Sequence, residues 1–222
     1  MYFEYDGTET EYLKSKDKKL GEIIDRVGHI YRPVDIDLFS SVIHHIIGQQ
    51  ISTNAQQTLW RRMNDGLGEI TADALINAGR DKIQSFGTTF VKTDYILDFA
   101  RKVKSGEFDI DKVEQMLDEE AITTLSSLKG IGIWTAEMIL LFCMQRSNIL
   151  SYGDLAILRG MRMVYRHRKI TKDQFEKYRR RLSPYCSVAS LYFFYLSSAS
   201  KACCSLLPWT TSFCPKLTEI YR

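Results

Sequence analysis

The stretch from Leu128 to Ala136 limits the folds open to this chain more than any other part of the sequence. It reads L-K-G-I-G-I-W-T-A and lies between two segments whose apolar residues recur at helical spacing, 118–128 before it and Trp134–Phe142 after it. Glycine accepts a positive φ and lets another backbone approach closely. The pattern therefore predicts two helices joined by a tight hairpin that turns at Gly130 and Gly132.

The second helix of this hairpin has the chemistry of an anion site. The first N–H groups of a helix have no partner inside it and point outward with the positive end of the dipole, so a phosphate oxygen can accept from them. A G-I-G turn alone is more often an ordinary corner packed in a core. Asp154, in the sequence S-Y-G-D, follows Gly132 by 22 residues and can cap a helix over Leu155–Tyr165. A phosphate-holding hairpin with a carboxylate downstream favours a functional site.

The overall charge is less informative than its distribution. The net charge of +3 and the apolar content of 45% indicate a globular, mildly basic protein. Between Arg159 and Arg181, however, there are ten Lys or Arg residues and two acids. Any single member of such a run is usually just solvated, but a cluster of this density is a candidate phosphate-facing surface.

These segments together resemble the helix-hairpin-helix DNA glycosylase superfamily, and most closely its 3-methyladenine DNA glycosylase II branch. Three further segments are similar to that branch: I-G-Q-Q-I-S at 47–52, K-T-D-Y-I-L-D-F-A at 92–100 and P-Y-C-S-V-A at 184–189. The resemblance extends from about Asp35 to Leu196.

The resemblance implies an all-α fold of two helical lobes with an active-site cleft between them. Residues 35–146 would form a six-helix barrel that ends in the hairpin, and residues 1–34 plus 147–222 a second lobe that carries Asp154. The apolar periodicity and the caps predict further helices over Asp37–Gly48, from Ser52, over Ala72–Ala78, from Lys92 to Val103, over Asp111–Leu117, after Thr171 and over Val188–Ser197.

The resemblance also assigns roles to residues. Asp154 would be catalytic, because a carboxylate stabilises the cation-like sugar that forms as the glycosidic bond breaks. Gln49 and Gln50 would fill the gap left by a flipped-out nucleotide, with Gln50 the better candidate for the wedge. Aromatic side chains would hold the extruded base: Trp134, Tyr152, Phe194 and Tyr195. The DNA backbone would be bound by Lys129, Gly130, Ile131, Gly132 and Thr135.

The activity implied is removal of alkylated purines, 3-methyladenine or 7-methylguanine, from double-stranded damaged DNA. Branches that also cut the strand have a lysine where this chain has Trp134, so we expect a monofunctional enzyme. Three alternatives remain open. One is a glycosylase for deaminated or oxidised bases, and another is a non-catalytic helix-hairpin-helix DNA-binding protein, which would not need Asp154. The third is a helical scaffold for protein partners, which would show no salt-dependent DNA affinity.

No resident cofactor is expected. The late cysteines, Cys186, Cys203, Cys204 and Cys214, lack the spacing with which some members of the superfamily hold an iron–sulfur cluster. Family members can bind a monovalent cation, Na or K, through hairpin carbonyls, which here would be those of Ser126, Leu128 and Ile131. With no apolar leader and no membrane-spanning stretch, we expect a soluble monomer in a bacterial-type cytoplasm, associated with the nucleoid through its function.

Some positions depart from the family pattern. Ser151 stands where proline is common, Ala156 where glycine is common, and Cys186 where the branch usually has arginine. The Cys- and Ser-rich segment 201–211 does not match the usual ending of the family, and no role is assigned to it.

Overall fold

The protein is all-helical over the part that the computed structural model describes, which is the backbone of residues 1–203 and the side chains of residues 1–199. The predicted all-α class is confirmed. The Cys-rich tail, with Cys204 and Cys214, lies outside the described residues. Twelve helices follow one another in the described range: α1 Gly7–Lys16, α2 Lys18–Val27, α3 Leu38–Gly48, α4 Thr53–Leu67, α5 Ala72–Ser85, α6 Phe90–Ser105, α7 Ile110–Gln115, α8 Asp118–Ser126, α9 Ile133–Phe142, α10 Leu155–Tyr165, α11 Lys172–Leu182 and α12 Cys186–Cys203.

The helices group into two compact units. The first contains Met1–Val34 and the described residues from Gln145 onward, with α1, α2, α10, α11 and α12. The second is Asp35–Met144, with α3 to α9. It has seven helices where the resemblance implied six, and the shortest of them, α7, has only six residues. The hairpin helices α8 and α9 are the last two helices of the second unit, and Asp154 belongs to the first unit.

Most helices begin at a residue whose side chain accepts a hydrogen bond from the first turn. The predicted caps Ser52, Thr71, Asp154 and Thr171 all do so, and Thr171 forms a full capping box with Gln174. Such a cap stabilises a helix by about 1 kcal/mol because it satisfies an otherwise unpaired N–H. Helices α8 and α9 have no side-chain cap hydrogen bond at their N-termini.

The structure also differs from the predicted elements. Helices α1 and α2 were not predicted. Helix α1 has few apolar positions, but α2 has Leu20, Ile23, Ile24 and Val27 at helical spacing, a period that the sequence analysis missed. Helix α5 continues to Ser85, past Gly79 at φ 74°, where the helical backbone is interrupted and where the sequence pattern ended. Helix α6 begins at Phe90 because Thr89, not a residue nearer Lys92, accepts the capping hydrogen bond.

Each unit has its own apolar core. In the second unit, Phe39 of α3 stacks on Phe99 of α6 with ring centroids 5.1 Å apart. In the first unit, α10 packs closely on α12, since a Cβ at Gly160 would lie 2.3 Å from the carbonyl oxygen of Phe193. This close packing fixes the helix that begins at Asp154. Within the described residues, no helix is both long and apolar enough to cross a lipid bilayer.

Candidate functional site

The hairpin between α8 and α9 is a tight turn held by its own backbone. The N–H of Leu128 donates to the carbonyl of Leu125, and the N–H of Ile131 donates to the carbonyl of Leu128, both at 3.1 Å. Gly130 has φ 85°, and a Cβ there would lie 2.5 Å from the ring of Tyr95. Both the backbone conformation and the close ring therefore require glycine at this position.

Gly132 differs from Gly130, although the sequence pattern treated the two as equivalent turn glycines. Its φ is −92°, which any residue can adopt, and a Cβ there would meet no atom within 4 Å. The fold itself does not need glycine at this position. The open space in front of Gly132 would allow another molecule to approach the backbone closely.

Helix α9 starts at Gly132 without a side-chain cap, so its first turn presents backbone N–H groups. The side chain of Trp134 is partly exposed there, at 46%. Thr135 and Ile131 are buried, and the Ile131 N–H donates to the carbonyl of Leu128, so the predicted DNA contacts of these two residues would run through their backbone groups. Thr135 can contribute only its backbone N–H, and Ile131 only its carbonyl.

Lys129 does not simply face solvent. Its ammonium forms a salt bridge with Asp98 of α6, with 2.7 Å between Nζ and Oδ1. The other carboxylate oxygen, Oδ2 of Asp98, is buried and has no hydrogen-bond partner in the described part of the chain. Lys129 is exposed beyond this pair, so a phosphate that approaches the hairpin would meet a lysine already oriented by Asp98.

The loop after α3 places the two glutamines differently. The side-chain amide of Gln49 donates to the backbone carbonyl of Gly130 at 2.5 Å. Lys92 donates to the carbonyls of Ile47 and Gln49. Gln50 is exposed and has φ 58°, an uncommon conformation for a residue with a side chain.

Two side chains therefore hold this loop: Gln49 joins it to the hairpin and Lys92 joins it to α6, while the side chain of Gln50 is exposed. The sequence pattern indicates a helix start at Lys92 but not its contact with the loop, because a lysine that binds main-chain carbonyls leaves no pattern in the sequence.

Asp154 is held rigidly at the N-terminus of α10. One carboxylate oxygen, Oδ1, accepts from the N–H groups of Ala156 at 2.7 Å and Ile157 at 2.9 Å. The residue is only 6% exposed, and its own N–H donates to the carbonyl of the buried Ser151. The predicted helix cap is confirmed. Capping and catalysis are compatible, because the cap fixes the position of the carboxylate.

The aromatic residues predicted for the base pocket lie in both units. Trp134 belongs to the second unit, while Tyr152, Phe194 and Tyr195 belong to the first. The ring of Tyr152 is partly exposed and packs edge-on against Phe175, with centroids 5.1 Å apart. On α12 the core is filled by Tyr192 and Phe193, and Phe194 and Tyr195 are only partly buried. Their partial exposure is compatible with both core packing and a pocket role, so the prediction for these two residues stays open.

The basic run of residues 159–181 is not uniformly available to a phosphate. Arg181 donates to the buried carboxylate of Asp17 at 2.9 Å, and Tyr165 donates to the same oxygen at 3.1 Å. Asp17 also caps α2. Arg181 therefore secures α11 to the N-terminal helices, which is a structural role.

The thiols described by the structure are inert. Cys143 and Cys186 are both buried and unpaired. Burial raises the pKa of each to about 12, so neither is a nucleophile near neutral pH. Cys186, which replaces the arginine of the family pattern, donates to the carbonyl of Arg179 at 3.4 Å.

The hairpin with its uncapped helix, the braced glutamine loop and the helix-capping aspartate are the features expected of a helix-hairpin-helix protein. Residues 43–184 match the family described as HhH-GPD superfamily base excision DNA repair protein. Since this match covers more than half of the chain, the protein belongs to that superfamily.

Relatives with known names agree. The chain is 27% identical to DNA-3-methyladenine glycosylase 1 of Schizosaccharomyces pombe, over 82% of this chain and 83% of that protein. It is 24% identical to a DNA-3-methyladenine glycosylase of Bacillus subtilis, over 62% of this chain and half of that protein. A crystal structure of DNA-3-methyladenine glycosidase from Bacillus halodurans superposes with a TM-score of 0.81 at 27% identity, covering 91% and 94% of the two chains.

Proposed function

We propose that this protein is a monofunctional DNA glycosylase. It hydrolyses the N-glycosidic bond of an alkylated purine, such as 3-methyladenine or 7-methylguanine, and leaves an abasic site in duplex DNA. The named relatives in yeast and bacteria support the reaction class. The observation that carries the proposal is Asp154, a carboxylate fixed by two backbone N–H groups at the helix start where the family's motif has its aspartate.

The hairpin and the glutamine loop prepare the substrate. The first turn of α9 and the open face of Gly132 accept a backbone phosphate, with Lys129 beside them. A base must leave the stack before it can react, and this costs a few kcal/mol, less for a damaged base. Gln50 enters the stack in place of the extruded nucleotide. Gln49 keeps the loop on Gly130 while this happens.

The chemistry requires charge stabilisation. An alkylated purine carries a positive charge, and the partly exposed face of Trp134 attracts it by roughly 0.5–2 kcal/mol. As the bond to the base breaks, positive charge develops on the sugar, and the Asp154 carboxylate stabilises that charge and orients the attacking water. The positively charged base is already a good leaving group, so it does not need to be protonated by an acid.

The strand stays intact after base release. Trp134 stands where strand-cutting branches have the lysine that forms a Schiff base with the sugar. The nearest lysine in the hairpin, Lys129, is paired with Asp98.

The hairpin carbonyls are proposed to bind a monovalent cation. Ser126, Leu128 and Ile131 would hold it, and within the described residues the buried hydroxyl of Ser126 has no hydrogen-bond partner. Such an ion would add positive charge next to a bound phosphate.

The direct test is base release from duplex DNA with a single 7-methylguanine, comparing the wild type with Asp154→Asn. Asparagine keeps a helix cap but removes the charge, so we expect a folded protein whose rate falls at least about 100-fold. Asp109→Asn, at the cap of α7, is the matched control and should release base at the wild-type rate. No strand break should form before alkali treatment.

Three outcomes would contradict the proposal. Full activity of Asp154→Asn would remove the catalytic assignment. Release of a deaminated or oxidised base instead would change the substrate class. Tight DNA binding without release of any base would indicate a non-catalytic binding protein.

A further inference from the structure

A cavity of about 380 Å³ lies beside the glutamine loop, within the second unit. It is bounded by the start of α4, the turn after α5 and the start of α6. Its lining includes Ile51, which directly follows Gln50, and Lys92, which holds the loop through two carbonyls. The cavity therefore adjoins the segment that enters the DNA stack in the proposed function, although none of the roles assigned above uses it.

The charge around this cavity is one-sided. Arg62 and Lys92 line it, and no carboxylate is among its lining residues. Among the residues that the structure describes, the ammonium of Lys92 is held by main-chain carbonyls, and partial burial lowers its pKa. Arg62 donates to the carbonyl of Phe86 at 3.4 Å. A guanidinium has five N–H donors and an ammonium three, so both have capacity for an anion.

A hydroxyl at the same cavity is also unsatisfied. Thr88 lines the cavity and is 95% buried, its exposed fraction being 5%. Its Oγ1 has no hydrogen-bond partner within the described structure. A buried polar atom without a partner costs free energy. Because this oxygen exposes less than 1 Å², a ligand oxygen in the cavity would reach it through a rotation of the Thr88 side chain and would then remove that cost. The remaining walls, among them Leu59 and Phe86, are apolar and suit the carbon face of a sugar.

We propose that this cavity binds a phosphodiester of the DNA backbone with its deoxyribose, through Arg62, Lys92 and Thr88. This is a second grip on DNA, separate from the helix-hairpin-helix, and it rests on the proposed function as a DNA-binding enzyme. Because Lys92 touches both the cavity and the loop, a phosphate bound here holds the loop at the moment when Gln50 enters the stack.

The test measures binding without chemistry. The affinity for a duplex with a tetrahydrofuran abasic analogue is measured by fluorescence anisotropy at several KCl concentrations. Each phosphate contact contributes about 0.9 to the slope of log K against log salt. We expect Arg62→Gln to lower the slope by about 0.9 and to weaken binding about tenfold. Thr88→Val should weaken binding about threefold with an unchanged slope, since it removes a neutral hydrogen bond.

Arg61→Gln is the matched control, because Arg61 is the exposed neighbour of Arg62 and does not line the cavity. Its slope should equal that of the wild type. Equal losses in Arg61→Gln and Arg62→Gln would mean diffuse surface charge, and wild-type binding by Thr88→Val would mean that no phosphate reaches the cavity. Either result would overturn the proposal.

A measurement with inorganic phosphate distinguishes a site for free phosphate from a site for the phosphodiester of DNA. If phosphate raises the Tm of the wild type but not of Arg62→Gln, while both bind DNA equally, the cavity takes a free anion and the phosphodiester proposal is wrong. The test is also independent of catalysis. A protein that shows the expected slopes but releases no alkylated base would contradict the proposed function and leave the phosphate site standing.

Discussion

The side-chain amide of Gln49 donates a hydrogen bond to the backbone carbonyl of Gly130, 81 residues later in the chain. This single contact joins the loop after α3 to the turn between α8 and α9. A molecule that binds the hairpin and restricts its motion will therefore also restrict the loop that contains Gln50. The two glutamines, adjacent in sequence, have different tasks, since Gln49 holds the loop and Gln50 projects from it.

This division of tasks predicts different phenotypes for the two alanine variants. Gln49→Ala removes a partly buried hydrogen bond and should lower the free energy of unfolding by about 1 kcal/mol in urea denaturation. Gln50→Ala removes an exposed side chain and should change that free energy by less than about 0.5 kcal/mol. It should instead slow base release, measured in single-turnover assays. Equal stability losses in the two variants would refute the bracing role of Gln49.

Alanine substitutions at the two hairpin glycines should also have different effects, one on stability and the other on DNA binding. Gly130→Ala places a Cβ against Tyr95 at a positive φ and should cost about 2–4 kcal/mol of stability, measured by thermal and urea unfolding. Gly132→Ala meets open space and should fold normally. Because the added methyl group would lie where we expect a phosphate to approach Gly132, the affinity of Gly132→Ala for duplex DNA should fall about tenfold. A Gly132→Ala protein with wild-type affinity would show that nothing approaches there.

Trp134 should matter most for charged lesions. We expect Trp134→Ala to lower kcat/KM for 7-methylguanine about tenfold more than for the neutral base hypoxanthine, because only the cation gains from the ring face. Trp134→Phe keeps an aromatic face and should recover part of that preference. An equal loss for charged and neutral bases would mean that Trp134 contributes only to the steric fit of the base and not to the attraction of its charge.

His45 makes the fold sensitive to acid. Burial, together with the neighbouring His44, lowers the pKa of His45 to about 4, whereas the unfolded chain takes up this proton near pH 6.5. Its contribution is therefore fully present above about pH 6.5 and is lost as the pH falls towards 4, by up to about 3 kcal/mol. His45→Gln should flatten the fall in unfolding free energy over this window. The check is urea denaturation of both proteins at several pH values between 4 and 7, and parallel curves would exclude His45 as the cause.

Much of this protein could be predicted from its sequence, because the decisive signals are local. A helix start is set by one side chain and the few residues after it, so the caps at Ser52, Thr71, Asp154 and Thr171 could be read directly. The glycine turn, the apolar helix α9 and the aspartate downstream likewise identify the superfamily that the comparisons show.

What the sequence could not decide are relationships between distant segments. The bracing of Gln49 by Gly130 and Lys92, the pairing of Lys129 with Asp98, and the different demands on Gly130 and Gly132 each depend on groups brought together by packing. The cavity of Arg62, Lys92 and Thr88 joins three helix ends in the same way. Hydrogen bonds to main-chain carbonyls and steric contacts with a ring leave no periodicity, so only the tertiary structure determines them.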